Sequence, residues 1–271
     1  MRTPYCEPST GPIPNIWETN GCFETMRAYQ GRIFRLEDHL ERLEASAVFL
    51  GTRLPSDRSG LRRLLVKTLK RSGLKEAVVR MALMPQGTGP ARPHVVVAKA
   101  VAPPASAYRD GIRVAVIPAR KFSVGSISPQ AKYSARLGSV LAVQDAQLRG
   151  VDEALFMDAL GSVTESTASN VGVVLSGIIL TPPCWLGLLA GITRDVLFEL
   201  ARELHCDIQD APLTRHDLYN ADEAFLTSTL KEVMPVTRID GRRIGLGRPG
   251  PVTKRLRAAF RRLVKRELTL T

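Results

Sequence analysis

The sequence predicts a two-domain chain that mixes α/β and α+β character, and three observations carry that prediction. A chain of 271 residues, 44% hydrophobic and 24% charged, is globular and long enough for one extended core or two smaller ones. Its first half alternates strand-like and helix-like patterns. A stretch with Pro, Gly and Ser near residues 118–130 then separates that half from a second alternation richer in strands. The expected boundaries are 1–120 for a smaller N-terminal α/β domain, 121–130 for a linker and 131–271 for a larger C-terminal domain.

The elements follow in order. The segment "GCFETMRAYQGRIFRL" reads as two short strands around a Gln30-Gly31 turn, an Asn-Gly-like hairpin signal. Asp38 is expected to cap a helix running to about Leu50, with Glu41 as capping-box partner and Gly51 as the stop. Leu40, Leu43, Ala47 and Leu50 form its apolar stripe, so His39, Arg42, Ser46 and Phe49 share another face. A second helix over about 59–71 precedes the strands "AVVRMALMP" and "HVVVAKAV". Residues 102–107 and 117–130 read as irregular, on either side of the strand "IRVAVI". A helix is expected from Lys132 to about Leu148, then the strands "EALFMD", "VTES", "NVGVVLS" and "GIILTPP". Another helix starts at Thr193 and stops before Asp207, and "ADEAFLTST" reads as a strand.

The formal net charge of +12 raises a nucleic-acid reading. Much of the excess sits in the final segment "VTKRLRAAFRRLVKREL", where Leu256, Phe260, Leu263 and Val264 recur at helical spacing. That is an amphipathic helix with a basic solvent face. No recognised nucleic-acid module or interleaved basic-aromatic stripe accompanies it, so the expectation is no nucleic-acid partner. No apolar run approaches the about 20 residues of a membrane helix, and the N-terminal "MRTPYCEPSTGPIPN" lacks the apolar centre of a signal peptide. A cytoplasmic protein without a membrane partner is expected. Cys6, Cys22, Cys184 and Cys206 are scattered, which suggests neither a disulfide framework nor a zinc site; no metal is expected.

Four anchors carry chemistry. Lys132 in "QAKYSARL" and Glu165 in "GSVTESTASN" offer an amine able to form an imine and a carboxylate able to keep a pyridinium nitrogen protonated. The glycine-led "GITRD" runs straight into a helix, so the amides of Ile192 and Thr193 and the Thr193 hydroxyl form a phosphate site or, more plainly, a threonine N-cap. Arg42 lies off its helix's apolar stripe, where a guanidinium pairs with a phosphate or with solvent. Thr229 ends a strand, where a hydroxyl reaches a ligand or satisfies its own loop.

Taken together and in order, "GCFETMRAYQGRIFRLEDHLERLEASAVFLG", "AKYSARLGSVLAVQDAQLRGVDEALFMDALGSVTESTASNVGVV", "LTPP", "LAGITRDVLFELARELH", "ADEAFLTSTLKEVMPV" and "GRPGPVTKRLRAAF" resemble the class IV, or fold type IV, pyridoxal-phosphate enzymes. These comprise branched-chain aminotransferases, D-amino acid aminotransferases and aminodeoxychorismate lyases. The resemblance covers about residues 20–264. It implies a C-terminal pseudo-barrel that binds pyridoxal 5'-phosphate, a homodimer, and an active site in the interdomain cleft. It matches Lys132 to the Schiff-base lysine and Glu165 to the partner of the pyridine nitrogen. Arg42, Ile192, Thr193 and Thr229 match the groups that hold the cofactor phosphate, and Phe23, Arg80, Arg136 and Leu230 fall on the substrate side.

The members of the family are separated by finer signals. Arg80 falls where branched-chain aminotransferases carry a Tyr-x-Arg motif, although the tyrosine position is Val78 here. Gln86-Gly87 stands where D-amino acid enzymes and many lyases carry Arg-Gly, "TESTASNV" is closer to the D-amino acid enzymes, Arg136 resembles the lyase pattern, and Ala190 replaces a usual proline. The leading expectation is transfer of an amino group from an L-branched-chain amino acid to 2-oxoglutarate or another 2-oxo acid. Aminodeoxychorismate lyase activity, releasing pyruvate and 4-aminobenzoate, is the alternative. A D-amino acid aminotransferase and a non-catalytic basic binding protein rank below both.

Overall fold

A computed structural model describes residues 21–117 and 129–269. Most of the expected linker lies outside the described residues. The described residues form two compact units, 21–103 with 131–135, and 104–117 and 129–130 with 136–269. This differs from the expected boundary at both of its edges, for reasons that lie in the strand pairing below.

The first unit is an antiparallel four-stranded sheet with two helices. Strands β1 (Cys22–Tyr29), β2 (Arg32–Ile33), β3 (Ala77–Gln86) and β4 (Gly89–Lys99) lie in the order β2-β1-β3-β4. The β1–β2 turn falls on Gln30 and Gly31, both at positive φ, as a tight two-residue hairpin requires. In β3 burial alternates, so Val79 and Met81 enter the core while Val78 and Arg80 share the other face. Helices α1 (Leu36–Phe49) and α2 (Arg58–Ser72) place Leu40, Leu43, Ala47, Leu61, Leu65 and Leu69 in the same core. The cap of α1 departs from expectation. Arg35 is the N-cap, left-handed at φ 53, with no side-chain cap bond, so Asp38 already lies in the first turn, where its charge suits the helix dipole. Residues 131–135 belong to this unit because they pair sideways with β1: Tyr133 bridges Cys22 and the amide of Ser134 donates to the carbonyl of Gly21. The helix expected to begin at Lys132 therefore begins at Leu137.

The second unit is built on a nine-stranded sheet. Its strands are β5 (Ile112–Val116), β6 (Glu153–Met157), β7 (Val163–Ser166), β8 (Asn170–Leu175), β9 (Ile178–Thr181), β10 (Ile208–Asp210), β11 (Glu223–Ser228), β12 (Glu232–Ile239) and β13 (Arg242–Arg243). The order β8-β11-β12-β5-β6-β7 returns to β8, which closes a barrel; β9 and β10 extend from β8, and β13 from β12. The closing register is Glu165 opposite Asn170. Closure removes free sheet edges and covers both faces of its strands, which is why β6, β7 and β8 read as nearly continuous buried runs rather than alternations. Strand β5 pairs in parallel with β12 and with β6, and Val114 and Val116 enter the barrel's core. That pairing draws residues 104–117 out of the expected N-terminal domain.

Helices surround this sheet: α3 (Ala105–Asp110), α4 (Leu137–Leu148), α5 (Ile192–Glu203), α6 (Arg215–Asn220) and α7 (Pro251–Thr269). The stretch 102–107, expected to be irregular, contains the start of α3, where Pro104 stands as N-cap. In α7, Leu256, Phe260, Leu263 and Val264 are all buried, as their spacing predicts. Among the described residues no helix is long and apolar enough to cross a membrane.

Candidate active site

The candidate residues fall into two constellations, one in each unit. In the first, α1 turns His39, Arg42 and Ser46 toward β1. Glu24, fully buried, accepts from Arg42 through Nε and Nη2 at 2.7 and 2.8 Å and meets His39 Nδ1 at 2.8 Å. Burial opposes ionisation of Glu24, but the Arg42 charge and the hydrogen bonds from Arg42 and His39 overrule it and hold the carboxyl down at about 2. Burial also holds His39 below its ordinary value, against the pull of Glu24. Phe49, expected on the same face, is exposed, because the last turn of α1 runs past the edge of this cluster.

Ser46 passes the arrangement on to Lys132. Its hydroxyl donates to the Arg42 carbonyl at 2.8 Å and accepts the Lys132 amide at 3.0 Å. The Lys132 carbonyl in turn accepts the Phe23 amide at 3.0 Å. Lys132 is thus latched at both backbone groups, and its Nζ stands 5.1 Å from the centroid of the Phe23 ring. Arg80 approaches the same ring, Cζ at 5.6 Å, a cation–π geometry, and its Nε donates to Thr25 Oγ1 at 3.3 Å. Arg42, Lys132, Phe23 and Arg80 therefore lie together in the first unit, whereas the sequence reading placed Lys132 in the C-terminal domain. Cys22 lies in the neighbouring core, and burial pushes its thiol up to about 11, which removes it as a nucleophile.

The second constellation gathers where the barrel closes. Glu165 is buried; its Oε2 accepts the Leu189 amide at 3.1 Å and Asn170 Nδ2 at 3.3 Å. The same Asn170 nitrogen donates to the Leu189 carbonyl at 2.9 Å, tying the β7–β8 turn to the loop before α5. That loop ends at Gly191, the N-cap of α5, which contributes no side-chain cap bond. Thr193 is thus not the cap but the second helical residue, and the amides of Ile192 and Thr193 belong to the helix's open first turn. A Cβ at Gly191 would sit 1.9 Å from Asn170 Oδ1, so any larger residue would displace Asn170 or the start of the helix.

Thr229 and Leu230 lie in the turn between β11 and β12, the strand end the sequence expects. The turn is held by Lys231, whose Nζ donates to the buried Glu153 Oε2 at 2.5 Å. Glu153 Oε1 accepts Thr167 Oγ1 at 2.5 Å, and Arg136 Nη2 donates to the Thr167 carbonyl. Arg136 and the Thr229 turn are joined through this chain of contacts. Glu24, Asn170 and Glu153 were not singled out by sequence reasoning, and Ser46 and Gly191 entered it only as a helix-face neighbour and a loop glycine. Asn170 follows directly on "TESTAS" and Glu24 sits in "CFET", so their proximity to candidate residues was visible, but their roles depend on pairings the chain makes far from them.

The donor set fits a phosphorylated pyridine cofactor. An uncapped helix N-terminus approached through a glycine with no room for a side chain is an anion cradle. Next to Asn170 in the chain, the buried Ser169 hydroxyl has no hydrogen-bond partner among the described residues, an orphan that a bound group would satisfy. Among the described residues no His, Cys, Asp or Glu group could hold a metal ion.

Comparison with known proteins agrees with this chemistry. The family described as amino-transferase class IV matches residues 21–239. A Methanocaldococcus jannaschii protein is 37% identical over 250 residues, covering 89% of this chain and 86% of that one. The branched-chain-amino-acid aminotransferase of Pseudomonas aeruginosa is 34% identical over 261 residues, covering 90% and 84%. The crystal structure of a T.th. branched-chain amino acid aminotransferase with pyridoxamine 5'-phosphate superposes with a TM-score of 0.86 at 32% identity, covering 90% of this chain and 85% of that one. These likenesses support amino-group transfer and not the lyase alternative.

Proposed function

Because the chain belongs to the class IV aminotransferase family, a family of pyridoxal-phosphate enzymes, we propose that it transfers the amino group of an L-branched-chain amino acid to a 2-oxo acid such as 2-oxoglutarate. The observation that carries the reading is the pairing of chemistries: an amine latched at both of its backbone groups, Lys132, and a buried carboxylate pinned by Asn170 and Leu189, Glu165. Bound pyridoxal 5'-phosphate supplies the electron sink for the α-carbanion and stores the amino group between the two half-reactions.

The protein's own groups do the rest. Lys132 Nζ would hold the cofactor covalently, and as a neutral amine it would serve as the general base that moves the substrate's α-proton. Glu165 holds the ring nitrogen protonated, each charge stabilising the other. Ile192 and Thr193 would hold the phosphate through backbone amides, with hydroxyls from Thr193 and Thr229, and the resemblance adds the charge of Arg42. Phe23, Arg80, Arg136 and Leu230 contact substrate, Arg80 attracting the distal carboxylate of the acceptor. A cytoplasmic homodimer is part of the same proposal and rests on the family resemblance; light scattering at twice the chain mass would support the dimer.

The test is a panel of amino donors mixed with the cofactor-loaded protein while the absorbance of the lysine-bound cofactor is followed. Leucine, isoleucine and valine should each bleach it, and 2-oxoglutarate should restore it. No change with any of the three sinks the reading. Lys132→Ala should lower turnover by about 10²-fold or more and abolish the lysine-bound absorbance.

A further inference from the structure

Within the second unit, α7 and Tyr108 of α3 line a partly open cavity of about 270 Å³ whose lining includes Tyr108, Pro235, Thr253, Lys254, Arg257 and Arg261. None of these residues belongs to the constellations described above. Lys254, Arg257 and Arg261 recur three and four residues apart, which places them along one side of the helix. Two polar atoms of this lining are buried with no hydrogen-bond partner among the described residues, Thr253 Oγ1 and Arg257 Nε. Buried donors in native proteins are almost always satisfied by protein, water or a bound ion.

The nearby groups explain why these two remain unsatisfied. The Arg257 guanidinium stacks on Tyr108, Cζ at 3.8 Å from the ring centroid, with Arg261 at 5.7 Å from the same ring. Stacking uses the face of a guanidinium and leaves its N–H edge for acceptors in its plane. The adjacent acids are engaged elsewhere. Glu232 accepts from Arg261 at 3.0 Å, and Glu223 accepts the amides of Val252 and Thr253 at 2.9 and 2.8 Å, capping α7. The Tyr108 hydroxyl donates to the Lys231 carbonyl at 3.0 Å. Burial, followed by the neighbouring Arg261 charge, pushes Arg257 below its ordinary range, against the opposing pull of Tyr108 and Glu232.

We propose that this cavity is an anion site that takes a phosphate dianion, either inorganic phosphate or the phosphoryl group of a small monoester. With Glu232 offsetting Arg261, two cations remain, Lys254 and Arg257, which matches a dianion. A guanidinium edge, a hydroxyl and an ammonium reach the cavity from different positions along α7, and a tetrahedral oxyanion can accept from all three where a planar carboxylate offers two oxygens. The volume lies just below the about 300–1,000 Å³ of drug-sized sites, so the ligand is small.

The test uses the cofactor-loaded enzyme, with its phosphate-binding residues already occupied, and inorganic phosphate as probe at constant ionic strength. Calorimetry should show one saturable site per chain within tens of millimolar. Arg257→Gln and the near-isosteric Thr253→Val should each weaken binding by roughly tenfold or more, the loss of one charge-assisted or buried hydrogen bond. Arg262→Gln removes the same charge from an α7 residue outside the cavity lining and should change nothing. Glycerol phosphate run in parallel identifies the source: tighter binding assigns a monoester, equal binding the free ion. The proposal is overturned by the absence of saturable binding, or by Arg262→Gln weakening it as much as Arg257→Gln, which would reduce the effect to net charge.

Discussion

Glu24 accepts hydrogen bonds from two basic side chains in a place without solvent, and that makes the first constellation sensitive to acid. Its carboxyl is held down at about 2 from an ordinary value of 4.5, so the contribution to stability is complete above about pH 4.5 and is lost as pH falls toward 2. At about 1.4 kcal/mol per unit of pKa the amount is on the order of 3 kcal/mol. His39, also held below its ordinary value, takes up its proton at lower pH in the fold than in the unfolded chain, which does so below about pH 6.5, so it erodes stability in the same direction and begins earlier. Urea midpoints measured from about pH 7 to about pH 3 should therefore fall in two stages. In Glu24→Gln the lower stage should vanish, and stability at neutral pH should already be down by about 3–5 kcal/mol, because Arg42 is left without its buried partner. A lower stage that persists in Glu24→Gln would assign it to another carboxylate. Nothing in "CFET" announces this; the sequence places His39 and Arg42 on one helical face, and only the β1–α1 packing supplies the acid between them.

At the scale of elements, the loop before α5 binds its contents through one glycine and one asparagine. Gly191 has an ordinary backbone conformation, φ −85, so Gly191→Ala is not penalised by strain; its Cβ collides with Asn170 Oδ1. Either Asn170 or the helix start must shift, and with it the bridge to Glu165. Spectrophotometric titration of Gly191→Ala with pyridoxal 5'-phosphate should show affinity lowered by roughly tenfold or more, equivalent to about 1.4 kcal/mol. An affinity unchanged from wild type would mean that the cradle does not contact the cofactor. A contrasting case is α7, whose periodicity already predicts the buried stripe. Phe260→Ala should cost about 3–5 kcal/mol in denaturant unfolding, because Phe260 is 1% exposed; a loss below about 1 kcal/mol would show the site collapsing around the deletion. Helices with strong periodicity were thus legible. Their ends were less so, since the cap of α1 is set by Arg35 turning left-handed after the hairpin, and the expected helix at Lys132 is pre-empted by pairing with β1.

For the whole molecule, what a sequence carries locally and what it leaves to long-range pairing separate cleanly. The alternation in β1 and β3, the Gln30-Gly31 turn and the α7 stripe are local patterns, and each is visible in a few residues. Barrel closure is not: β5 pairs with β12, more than a hundred residues away, and β7 returns to β8 through the single register Glu165–Asn170. Because those pairings decide which unit holds residues 104–117 and 131–135, the domain boundary was the least legible feature, while Lys132 and Glu165 drew notice through the ordered motifs around them. Net charge is legible in full and has a consequence on the same scale. With 38 Lys and Arg against 26 Asp and Glu, the +12 surface attracts anions before any contact is made, and salt screens that attraction over a Debye length of about 10 Å at 0.1 M. Initial rates with 2-oxoglutarate as acceptor should show KM rising several-fold from low salt to about 0.5 M KCl, with kcat within about twofold, since screening weakens encounter more than the chemistry of a desolvated site. A chloride that competes directly would also raise KM, so the series is repeated with a larger monovalent anion. A rise that depends on the anion's identity rather than on ionic strength, or a KM that stays flat, would mean that the basic surface does not steer the acceptor.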